Sequence, residues 1–337
     1  MISVIIVGYN SKKHLRDCLE SLFASKYKKF EVIFVDNNSQ DGSINYIEKE
    51  YPRVKLIQGK KNLGFAGGNN LGIDTAVKNK SEYVFLLNPD TIIDPDCLGQ
   101  LVEKADRNTI LQPLILLHDG KRKTDLVNSA GNVLNFLGFS YCGDYKKNKS
   151  EIASDKDISV ASGAAMLIPA EIIRKIGMFD ESFFMYHEDV DLSWRARIAG
   201  YNIRLIKDAI VWHKYSFSKN KNKFFYAERN RLIFLFKNSQ TKTLLLILPL
   251  LLLNEIFLLL YATIDGWFIA KIQSSVSFVQ GLSSVLRARK KMKRAKTDKD
   301  LKKHLSSKLS FSELDSPALR CYNILVDSYW KIILKFV

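Results

Sequence analysis

Cysteine is scarce in this chain of 337 residues, which has only four cysteines and seven prolines. The cysteines, Cys18, Cys97, Cys142 and Cys321, lack any paired spacing. This argues against a disulfide framework or a zinc site and favours a reducing compartment. A secretory signal is not expected either, because the apolar run Ile2–Val7 has no basic segment before it and reads as a first strand.

Two common nucleotide-binding motifs are also missing. The glycine-rich stretch 62–70 lacks the spacing of a P-loop, and no Gly-x-Gly-x-x-Gly follows the first predicted strand. A P-loop or a dinucleotide site is therefore not expected. Gly64, Gly67 and Gly68 instead offer backbone that can approach a ligand closely, with Asn69 and Asn70 predicted to open a helix.

Acidic residues are outnumbered, with 35 of them against 51 lysines and arginines. Residues 1–240 have a net charge of +7, whereas residues 241–337 have +9 in less than half the length. The first part has the balance of an ordinary globular enzyme, and the second suits an anionic surface. We therefore predict a catalytic domain over residues 1–240 and a helical membrane-associated region over residues 241–337.

Short β-rich runs alternate with helical patterns along the first part of the chain. Strands are predicted at Ile2–Val7, Glu31–Val35, Val54–Ile57, Glu82–Leu87, Asn202–Ile206 and Ala209–Trp212. Helices are predicted after the capping residues Ser11 and Asp94 and over Ala170–Ile176 and Asp189–Ala199, while residues 107–160 predict an irregular segment with some antiparallel strand. This order predicts an α/β fold with a mostly parallel sheet flanked by helices.

Polar residues collect just after the predicted strands, at Tyr9-Asn10, Asp36-Asn37, the glycine-rich stretch and Asp90. In an open parallel sheet these points share the carboxyl edge, where ligands bind. A simple turn explains any one of them equally well. Because all four meet at one edge, a binding site is the better interpretation.

The acidic residues at two of these positions suggest chemistry. Asp90 follows an apolar strand, and one carboxylate together with substrate phosphates is enough to hold Mg²⁺. Asp189 lies at a predicted helix start, where the dipole favours the ionised form that a base needs, although simple capping also explains such acids. Asp191 and Arg195 are spaced to pair on one helix face. His213 ends a strand, and on its own it is more often structural than a ligand.

Five stretches in order carry a resemblance to a known family. They are residues 3–10 (SVIIVGYN), 35–39 (VDNNS), 62–72 (NLGFAGGNNLG), 86–91 (LLNPDT) and 177–192 (GMFDESFFMYHEDVDL). With them the chain resembles glycosyltransferase family 2, inverting enzymes of the GT-A fold, over roughly residues 2–215. It is most similar to the rhamnosyltransferase and galactofuranosyltransferase-like branch.

The resemblance implies a role for each matching residue. Tyr9, Asp36 and Asn37 would hold the base and ribose of a nucleotide sugar. Asp90 would bind Mg²⁺ or Mn²⁺ on the diphosphate, as the last position of an Asp-x-Asp motif whose first position here is Asn88. Asp189 matches the catalytic base, and His213 falls where some members place a further metal ligand. The other donor-side residues predicted are Asn10, Gly64, Gly67, Gly68, Asn70 and Asn88; those on the acceptor side or in support are Gly163, Phe184, Tyr186, Glu188, Asp191 and Arg195.

The reaction implied is a metal-assisted single displacement that inverts the anomeric carbon. The donor expected is dTDP-rhamnose or a UDP-sugar, and the acceptor is a hydroxyl of a glycan, expected to be lipid-linked. The leading alternative from another class is a non-catalytic membrane scaffold that keeps a nucleotide-binding fold, but both Asp90 and Asp189 are present.

The C-terminal region combines a long apolar run with a basic one. Leu244–Ile264 has the length of a membrane span, with Glu255 near its centre, and Trp267–Leu286 has an amphipathic pattern. Residues 287–303 then carry ten basic and two acidic residues. A single span would put this run on the side opposite the catalytic domain, against the positive-inside rule. We therefore expect a peripheral, monotopic or re-entrant hairpin arrangement at the cytoplasmic face of the cell membrane.

Two alternative roles for the basic run are less favoured. Nucleic-acid binding is not expected, because residues 287–303 contain no aromatic side chain and adjoin an apolar segment. A buried helical subdomain with a solvated charged tail is the alternative to membrane association.

Overall fold

The computed structural model describes residues 1–215, 221–311, 313 and 316–337, without the side chains of residues 221, 222 and 318. The chain forms two compact units. The sheet unit comprises Met1–Asn132, Cys142–Ala196 and Tyr201–Ser216, and the helical unit comprises Val133–Tyr141, Arg197–Gly200 and Phe217–Val337.

The sheet unit contains a ten-stranded mixed sheet among its described residues. Its strands are β1 (Ile2–Gly8), β2 (Phe30–Asp36), β3 (Lys55–Gln58), β4 (Tyr83–Leu87), β5 (Thr91–Ile93), β6 (Thr109–His118), β7 (Lys123–Ser129), β10 (Lys156–Asp157), β11 (Ala165–Pro169) and β12 (Asn202–His213). The central order is β10-β12-β6-β11-β4-β1-β2-β3, with β5 paired to β12 and β7 to β6. Strands β3, β2, β1 and β4 are parallel, β11 runs against both its neighbours, and β12 is parallel to β6.

Both faces of this sheet are covered, as the continuous apolar strands predict. Successive residues of β1 enter opposite cores, since Ile5 belongs to one cluster and Val4 and Ile6 to the other. The helices are α1 (Lys12–Phe23), α2 (Ser43–Glu50), α3 (Gly64–Lys78), α4 (Cys97–Lys104), α5 (Ala170–Ile176) and α6 (Glu188–Ile198). The predicted α/β fold with a mostly parallel sheet is confirmed.

The structure differs from the predictions in five places. Residues 109–118, predicted as irregular, form the long buried strand β6, and β12 is one strand with an irregularity between Ile206 and Ile210. The glycine-rich stretch is helical from Gly64 onward, so Asn69 and Asn70 lie inside α3 rather than opening it. Helix α4 begins at Cys97, because the Asp94 carboxylate accepts the amide of Asp96 in a turn before it. Ser11 stands at the N-cap of α1, but its hydroxyl makes no capping hydrogen bond.

The helical unit is built from α7 (Lys221–Asn238), α8 (Thr241–Ile264), α9 (Phe268–Lys291), the short α10 (Asp298–Leu301) and α11 (Pro317–Ile333). A small sheet of order β13-β8-β9 lies beside them, with β8 at Asn132–Asn135, β9 at Ser140–Cys142 and β13 at Leu305–Ser306. Among the described residues, α8 is the one helix long and apolar enough to cross a membrane. Pro249 lies inside it.

Candidate active site

The loops after β1 and β2 are tied together at the carboxyl edge of the sheet. The amide of Asn37 donates to the carbonyl of Gly8 at 2.7 Å. The amide of Asn10 donates to the hydroxyl of Ser39 at 2.9 Å, and its side-chain oxygen accepts the amide of Gln40 at 2.8 Å. Asn10 has a positive φ of 50°, a conformation that asparagine tolerates better than most residues. Asn10 therefore fixes the shape of this edge.

Asp36 and Asn37 lie at the bottom of that edge. Asn37 donates to the carbonyl of Gly64 at 2.8 Å and accepts the amide of Leu63 at 3.0 Å, so it fixes the start of α3. Asp36 is fully buried, and one of its carboxylate oxygens accepts the amide of Ser39 at 2.9 Å. Its other oxygen has no hydrogen-bond partner among the described residues. Buried polar atoms are normally paired, so this oxygen is a candidate acceptor for a ligand donor. Tyr9, in contrast, is exposed.

The glycines of α3 serve close packing in this structure. A Cβ added at Gly68 would lie 2.6 Å from Val7, and one at Gly67 would lie 2.7 Å from Leu63. Gly64 has a φ of +69°, and a Cβ there would lie 2.3 Å from the carbonyl of Phe184. These positions therefore need glycine for steric reasons, whatever they contribute to ligand binding.

Asp90 and His213 meet because β5 pairs with β12. His213 lies opposite Thr91 in that antiparallel pair, and the amide of Lys214 donates to the carbonyl of Asp90 at 3.0 Å. The Nε2 atom of His213 is 3.3 Å from Oδ1 of Asp90. Burial works against ionisation of Asp90, but the hydrogen bond and charge of His213 outweigh it and hold the pKa of Asp90 below its usual value.

The second ring nitrogen of His213 is held by a residue that the sequence did not single out. The side-chain oxygen of Asn128, at the end of β7, lies 3.0 Å from Nδ1. With that oxygen as acceptor, Nδ1–H is the donor to Asn128, so Nε2, which hydrogen-bonds Asp90 here, would be the ring atom left to bind a cation in place of its proton, the usual arrangement around metal-binding histidines.

The residues present fit a divalent cation. A carboxylate oxygen and an imidazole nitrogen lie 3.3 Å apart. The carboxylate suits Mg²⁺ or Mn²⁺, and the imidazole suits transition-metal ions. No cluster of three or more His, Cys, Asp or Glu occurs in the described part of the chain. The other ligands would therefore come from substrate phosphates and water. Asn88 lies beside the pair, at the turn between β4 and β5.

Asp189 is held in the first turn of α6 by backbone amides. Its two carboxylate oxygens accept the amide of Gly163 at 3.0 Å and that of Val190 at 2.8 Å. The neighbouring carbonyl, that of Ala164, accepts the amide of Asn88 at 2.9 Å. Two consecutive residues, Gly163 and Ala164, thus join the turn that carries Asp90 to the carboxylate of Asp189.

Burial changes the acidity of two adjacent carboxyl groups. It raises the pKa of Asp189 above the usual value, and the amides of Gly163 and Val190 only partly oppose this. Burial and the charge of Asp189 raise the pKa of Glu188 well above its usual value. Raised carboxyl pKa values are typical of groups that exchange protons in a site.

A strained loop leads into α6. Phe184, Tyr186 and His187 all have positive φ values, of 61°, 64° and 69°. The carbonyl of Phe184 accepts the amide of Ala66, which joins this loop to the start of α3. Such strain in non-glycine residues collects at functional sites.

The predicted pair of Asp191 and Arg195 is present, and it supports the same region. The guanidinium Nε is 2.7 Å from Asp191, which is fully buried. The other guanidinium nitrogens donate to the carbonyls of Ile176 and Met178. Asn70 similarly binds the backbone of Phe179 through both ends of its amide. Asn70, Asp191 and Arg195 therefore fix the chain that leads to the loop before α6.

Comparison with known proteins decides the family. The family model described as glycosyl transferase family 2 matches residues 3–177, about half of the chain. The chain belongs to glycosyl transferase family 2. The family, the glycosyltransferase class and the GT-A type of fold predicted from the sequence are thereby confirmed.

Curated relatives of this family 2 chain include three sugar-transferring enzymes. A low-salt glycan biosynthesis hexosyltransferase from Haloferax volcanii is 27% identical over 205 residues, 60% of this chain and 63% of the relative. An N-acetylglucosaminyl-diphospho-decaprenol L-rhamnosyltransferase from Mycobacterium tuberculosis is 28% identical over 244 residues, which cover 66% of this chain and 78% of the relative. A poly-β-1,6-N-acetyl-D-glucosamine synthase from Staphylococcus epidermidis is 26% identical over 213 residues, which cover 63% of this chain and 49% of the relative. The chain thus spans less than two thirds of the first and about half of the third.

Solved structures support the fold. GalNAc-T7 with UDP, GalNAc and Mn²⁺ has a TM-score of 0.57 at 15% identity, covering 72% of this chain and 48% of that one. S. aureus TarS 1–349 with UDP-GlcNAc has a TM-score of 0.52 at 18% identity, covering 99% and 90%.

Two further residues that were not predicted from the sequence border this edge besides Asn128. The amine of Lys214 is 2.5 Å from the carboxylate of Asp17, beside the Asp90 turn. Gln112 is fully buried in β6 and accepts the amide of Ser162 at 2.7 Å, next to Gly163. Lys214 could have been suspected from its position after His213, whereas Asn128 and Gln112 lie in the region predicted as irregular.

Proposed function

We propose that this chain is an inverting glycosyltransferase that moves a sugar from a nucleotide-sugar donor to a hydroxyl of a glycan acceptor. One observation carries the proposal. Asp189 is a half-buried carboxylate of raised pKa, and Asp90 is a second carboxylate, paired with the imidazole of His213. Backbone hydrogen bonds of Gly163 and Ala164 join Asp189 to the turn that carries Asp90. A base and a cation-holding pair are the two elements that a single displacement from a diphosphate needs.

The reaction follows from these roles. Asp189 accepts the proton of the acceptor hydroxyl as the acceptor oxygen forms a bond to the anomeric carbon. The bond from that carbon to the phosphate oxygen breaks, and the nucleoside diphosphate leaves with the electron pair. Attack and departure on opposite faces invert the configuration. A divalent cation, when bound by Asp90 and His213, would neutralise charge on the leaving diphosphate.

The donor proposed is dTDP-rhamnose or a UDP-sugar. The unpaired buried oxygen of Asp36 would accept a hydrogen bond from the nucleoside, beside Tyr9 and Asn37. Asn10, Gly64, Gly67, Gly68, Asn70 and Asn88 would shape the donor side of the edge. The relative named as a rhamnosyltransferase and the neighbour solved with UDP-GlcNAc are compatible with either donor.

The acceptor proposed is a lipid-linked glycan, by analogy with the diphospho-decaprenol named in one relative. Gly163, Phe184, Tyr186 and Glu188 would lie on its side of the site or support it. Residues 1–240 would be the catalytic domain and residues 241–337 the part that binds an anionic membrane surface at the cytoplasmic face. The apolar helix α8 and the basic residues 287–303 support this location.

A donor screen tests the proposal. The chain is incubated with dTDP-rhamnose and a set of UDP-sugars, with Mg²⁺, with Mn²⁺ or with a chelator, and release of the nucleoside diphosphate is measured. We expect one donor to be turned over only with a divalent cation, and a lipid-linked acceptor to increase the rate. The anomeric configuration of the product should be opposite to that of the donor. Nucleotide binding without turnover of any donor would favour the non-catalytic scaffold instead.

A further inference from the structure

Helix α8 has two different faces. Its buried residues are Thr243, Ile247, Leu250, Leu251, Asn254 and Ala262. From Leu245 onward its exposed large residues are apolar or aromatic: Leu245, Leu248, Leu252, Leu253, Ile256, Phe257, Leu260, Tyr261 and Ile264. With 24 residues, the helix is about 36 Å long, and this apolar outer face runs along it from Leu245 to Ile264, while Lys242 is exposed in its first turn.

The inner side of α8 takes part in a buried charge tetrad, formed by Glu228, Arg231, Glu255 and Lys271. Arg231 forms ion pairs with both glutamates: its guanidinium lies 3.0 Å from the carboxylate of Glu228 and also contacts that of Glu255. Lys271 lies 2.6 Å from Glu228 and 2.7 Å from Glu255. The side chains of Arg231 and Lys271 are only 1% and 2% exposed. The tetrad therefore joins α7, α8 and α9 with no net charge.

The tetrad argues against a helix that crosses a bilayer. Glu255 lies past the middle of α8, so a crossing would carry the whole tetrad toward the hydrocarbon centre. Removing Glu255 from its partners would instead leave Arg231 and Lys271 buried without one of their counter-charges. The inner face is also attached to α11, since Tyr322 donates to Asn254 and Tyr329 donates to the carbonyl of Leu246. A crossing of α8 would have to take α11 and the charged residues of α7 with it.

The ends of the helical hairpin have the chemistry of a lipid headgroup layer. Exposed aromatic side chains lie at the α8–α9 turn, at Tyr261 and Phe268, beside the buried Trp267, whose ring is 6.3 Å from that of Tyr261. Aromatic side chains of this kind concentrate at membrane–water interfaces. The far end of α9 carries exposed Arg287, Lys290 and Lys291, which suit anionic headgroups.

Not all of the basic run is available to lipid. Arg289 donates to the carbonyl of Phe236 and to Thr241, and Arg294 donates to the carbonyl of Asn238 and pairs with Asp298. These two arginines hold the end of α7 in place. Attraction to anionic lipid would therefore come from the exposed basic residues around them.

We propose that the outer face of α8 lies in the plane of a lipid bilayer, as a monotopic docking surface, while the charge tetrad keeps the inner face within the protein. The inference rests on the membrane association in the proposed function and selects one of its arrangements. It excludes both a single span and a membrane-crossing hairpin. The occupant is a bilayer with anionic headgroups, because the exposed apolar side chains of Leu245–Ile264 are bordered by the exposed aromatics Tyr261 and Phe268 at one end and by exposed basic residues at the other.

Depth measurements along α8 test this arrangement. Single spin labels are attached to cysteines introduced at positions 245, 252, 256, 260 and 264 of the full chain, in a background with Cys142→Ser and Cys321→Ser. The vesicles contain phosphatidylcholine with phosphatidylglycerol, and accessibility to oxygen and to a nickel complex gives the depth of each label. We expect all five labels at a similar shallow depth. A depth that reaches its maximum near positions 252 and 256 and becomes shallow at both ends would overturn the proposal in favour of a crossing helix.

Paired variants test the occupant. Leu252→Glu with Ile256→Glu should lower vesicle affinity at least about 100-fold, because each change removes a large apolar group from lipid and adds a charge. Leu126→Glu, at an exposed apolar residue of β7, is the matched control and should leave affinity unchanged. If the chain were instead a dimer in solution by light scattering, and the double variant became monomeric with no change in vesicle binding, a second copy would be the occupant and the proposal would be wrong.

These measurements use no sugar donor or acceptor, so they are independent of catalysis. Asp189→Asn should bind vesicles and report label depths as the unmodified chain does. Absence of transfer with normal membrane docking would count against the proposed activity alone. Normal transfer to a soluble acceptor with no docking would count against the membrane inference alone.

Discussion

Buried charge is treated in opposite ways in the two units of this chain. At the carboxyl edge of the sheet, Glu188 and Asp189 are adjacent, and the pKa of each is raised. One carboxylate oxygen of Glu188 and one of Asp36 have no hydrogen-bond partner among the described residues. In the helical unit each member of the charge tetrad contacts two opposite charges, and the pKa of Glu228 falls to about 2.

This difference separates residues that can take part in catalysis from residues that stabilise the fold. Carboxyl groups without an opposite charge at the sheet edge can exchange a proton or accept a ligand. Burying them is destabilising, and the surrounding fold must offset that loss of stability. A balanced tetrad has no such capacity, and its consequence is that three helices keep one arrangement. Changes at the first place should alter activity, and changes at the second should alter stability.

The largest effect on activity is expected from Asp189→Asn, which removes the base and keeps its shape. Turnover should fall about 10²- to 10⁴-fold with donor affinity nearly unchanged. Steady-state kinetics and calorimetric titration of the donor measure the two quantities. Retention of more than about a tenth of the turnover would mean that Asp189 is not the base.

The largest effect on stability is expected from Lys271→Met, which leaves two buried glutamates short of a partner. The free energy of unfolding should fall by about 3–5 kcal/mol, as measured by chemical denaturation. Lys331→Met is the matched control, because Lys331 is exposed and pairs with Asp327 on the surface, where an ion pair contributes little to stability. Equal losses in the two variants would remove the distinction between the tetrad and an ordinary ion pair.

A smaller effect, dependent on the cation, is expected at the Asp90 pair. Asp90→Ala should weaken donor binding mainly when Mg²⁺ or Mn²⁺ is present, and His213→Ala should do so more mildly. Asn128→Ala should reduce apparent metal affinity by about 10- to 100-fold, since it frees the histidine ring. Titration of Mn²⁺ by electron paramagnetic resonance, with donor present, measures this without turnover. Loss of thermal stability alone in His213→Ala would favour a structural histidine.

The smallest effect per residue is expected from the exposed basic side chains near the end of α9. Neutralising Arg287, Lys290 and Lys291 should weaken binding to anionic vesicles by about 1 kcal/mol per charge, with a dependence on salt. Binding should persist, because the outer face of α8 is unchanged. Vesicle co-sedimentation at two salt concentrations checks it, and complete loss of binding would show that electrostatics alone holds the chain to lipid.

Much of the sheet unit could be predicted because its signals are local. The continuous apolar run of β1 and the helix ended by Gly177 depend only on neighbouring residues, and both appear as expected. The pairing of β5 with β12 could not be predicted, since it joins Thr91 to His213 across more than a hundred residues. The residues alone gave Asp90 and His213 as separate candidates, and only the family resemblance grouped them as metal ligands.

The helical unit shows the same limit more strongly. Glu255 looks costly in the middle of an apolar run, because its partners Arg231 and Lys271 lie on other helices. The prediction that the glycine-rich stretch precedes its helix is wrong for a related reason. Its glycines accommodate Val7 and Phe184, contacts that a sequence pattern does not reveal.

The pH dependence of transfer tests the central claim, that the half-buried Asp189 is the base, most directly. A base must be deprotonated, and burial raises the pKa of Asp189, so activity should fall as the pH is lowered through a value above the usual 3.9 or so for an aspartate. The measurement is kcat/KM for the preferred donor at saturating Mn²⁺ and acceptor, from pH 8 down to about pH 4. We predict a descending acid limb that Asp189→Asn, at its residual rate, does not show. A rate independent of pH over that range, or the same acid limb in both proteins, would contradict it.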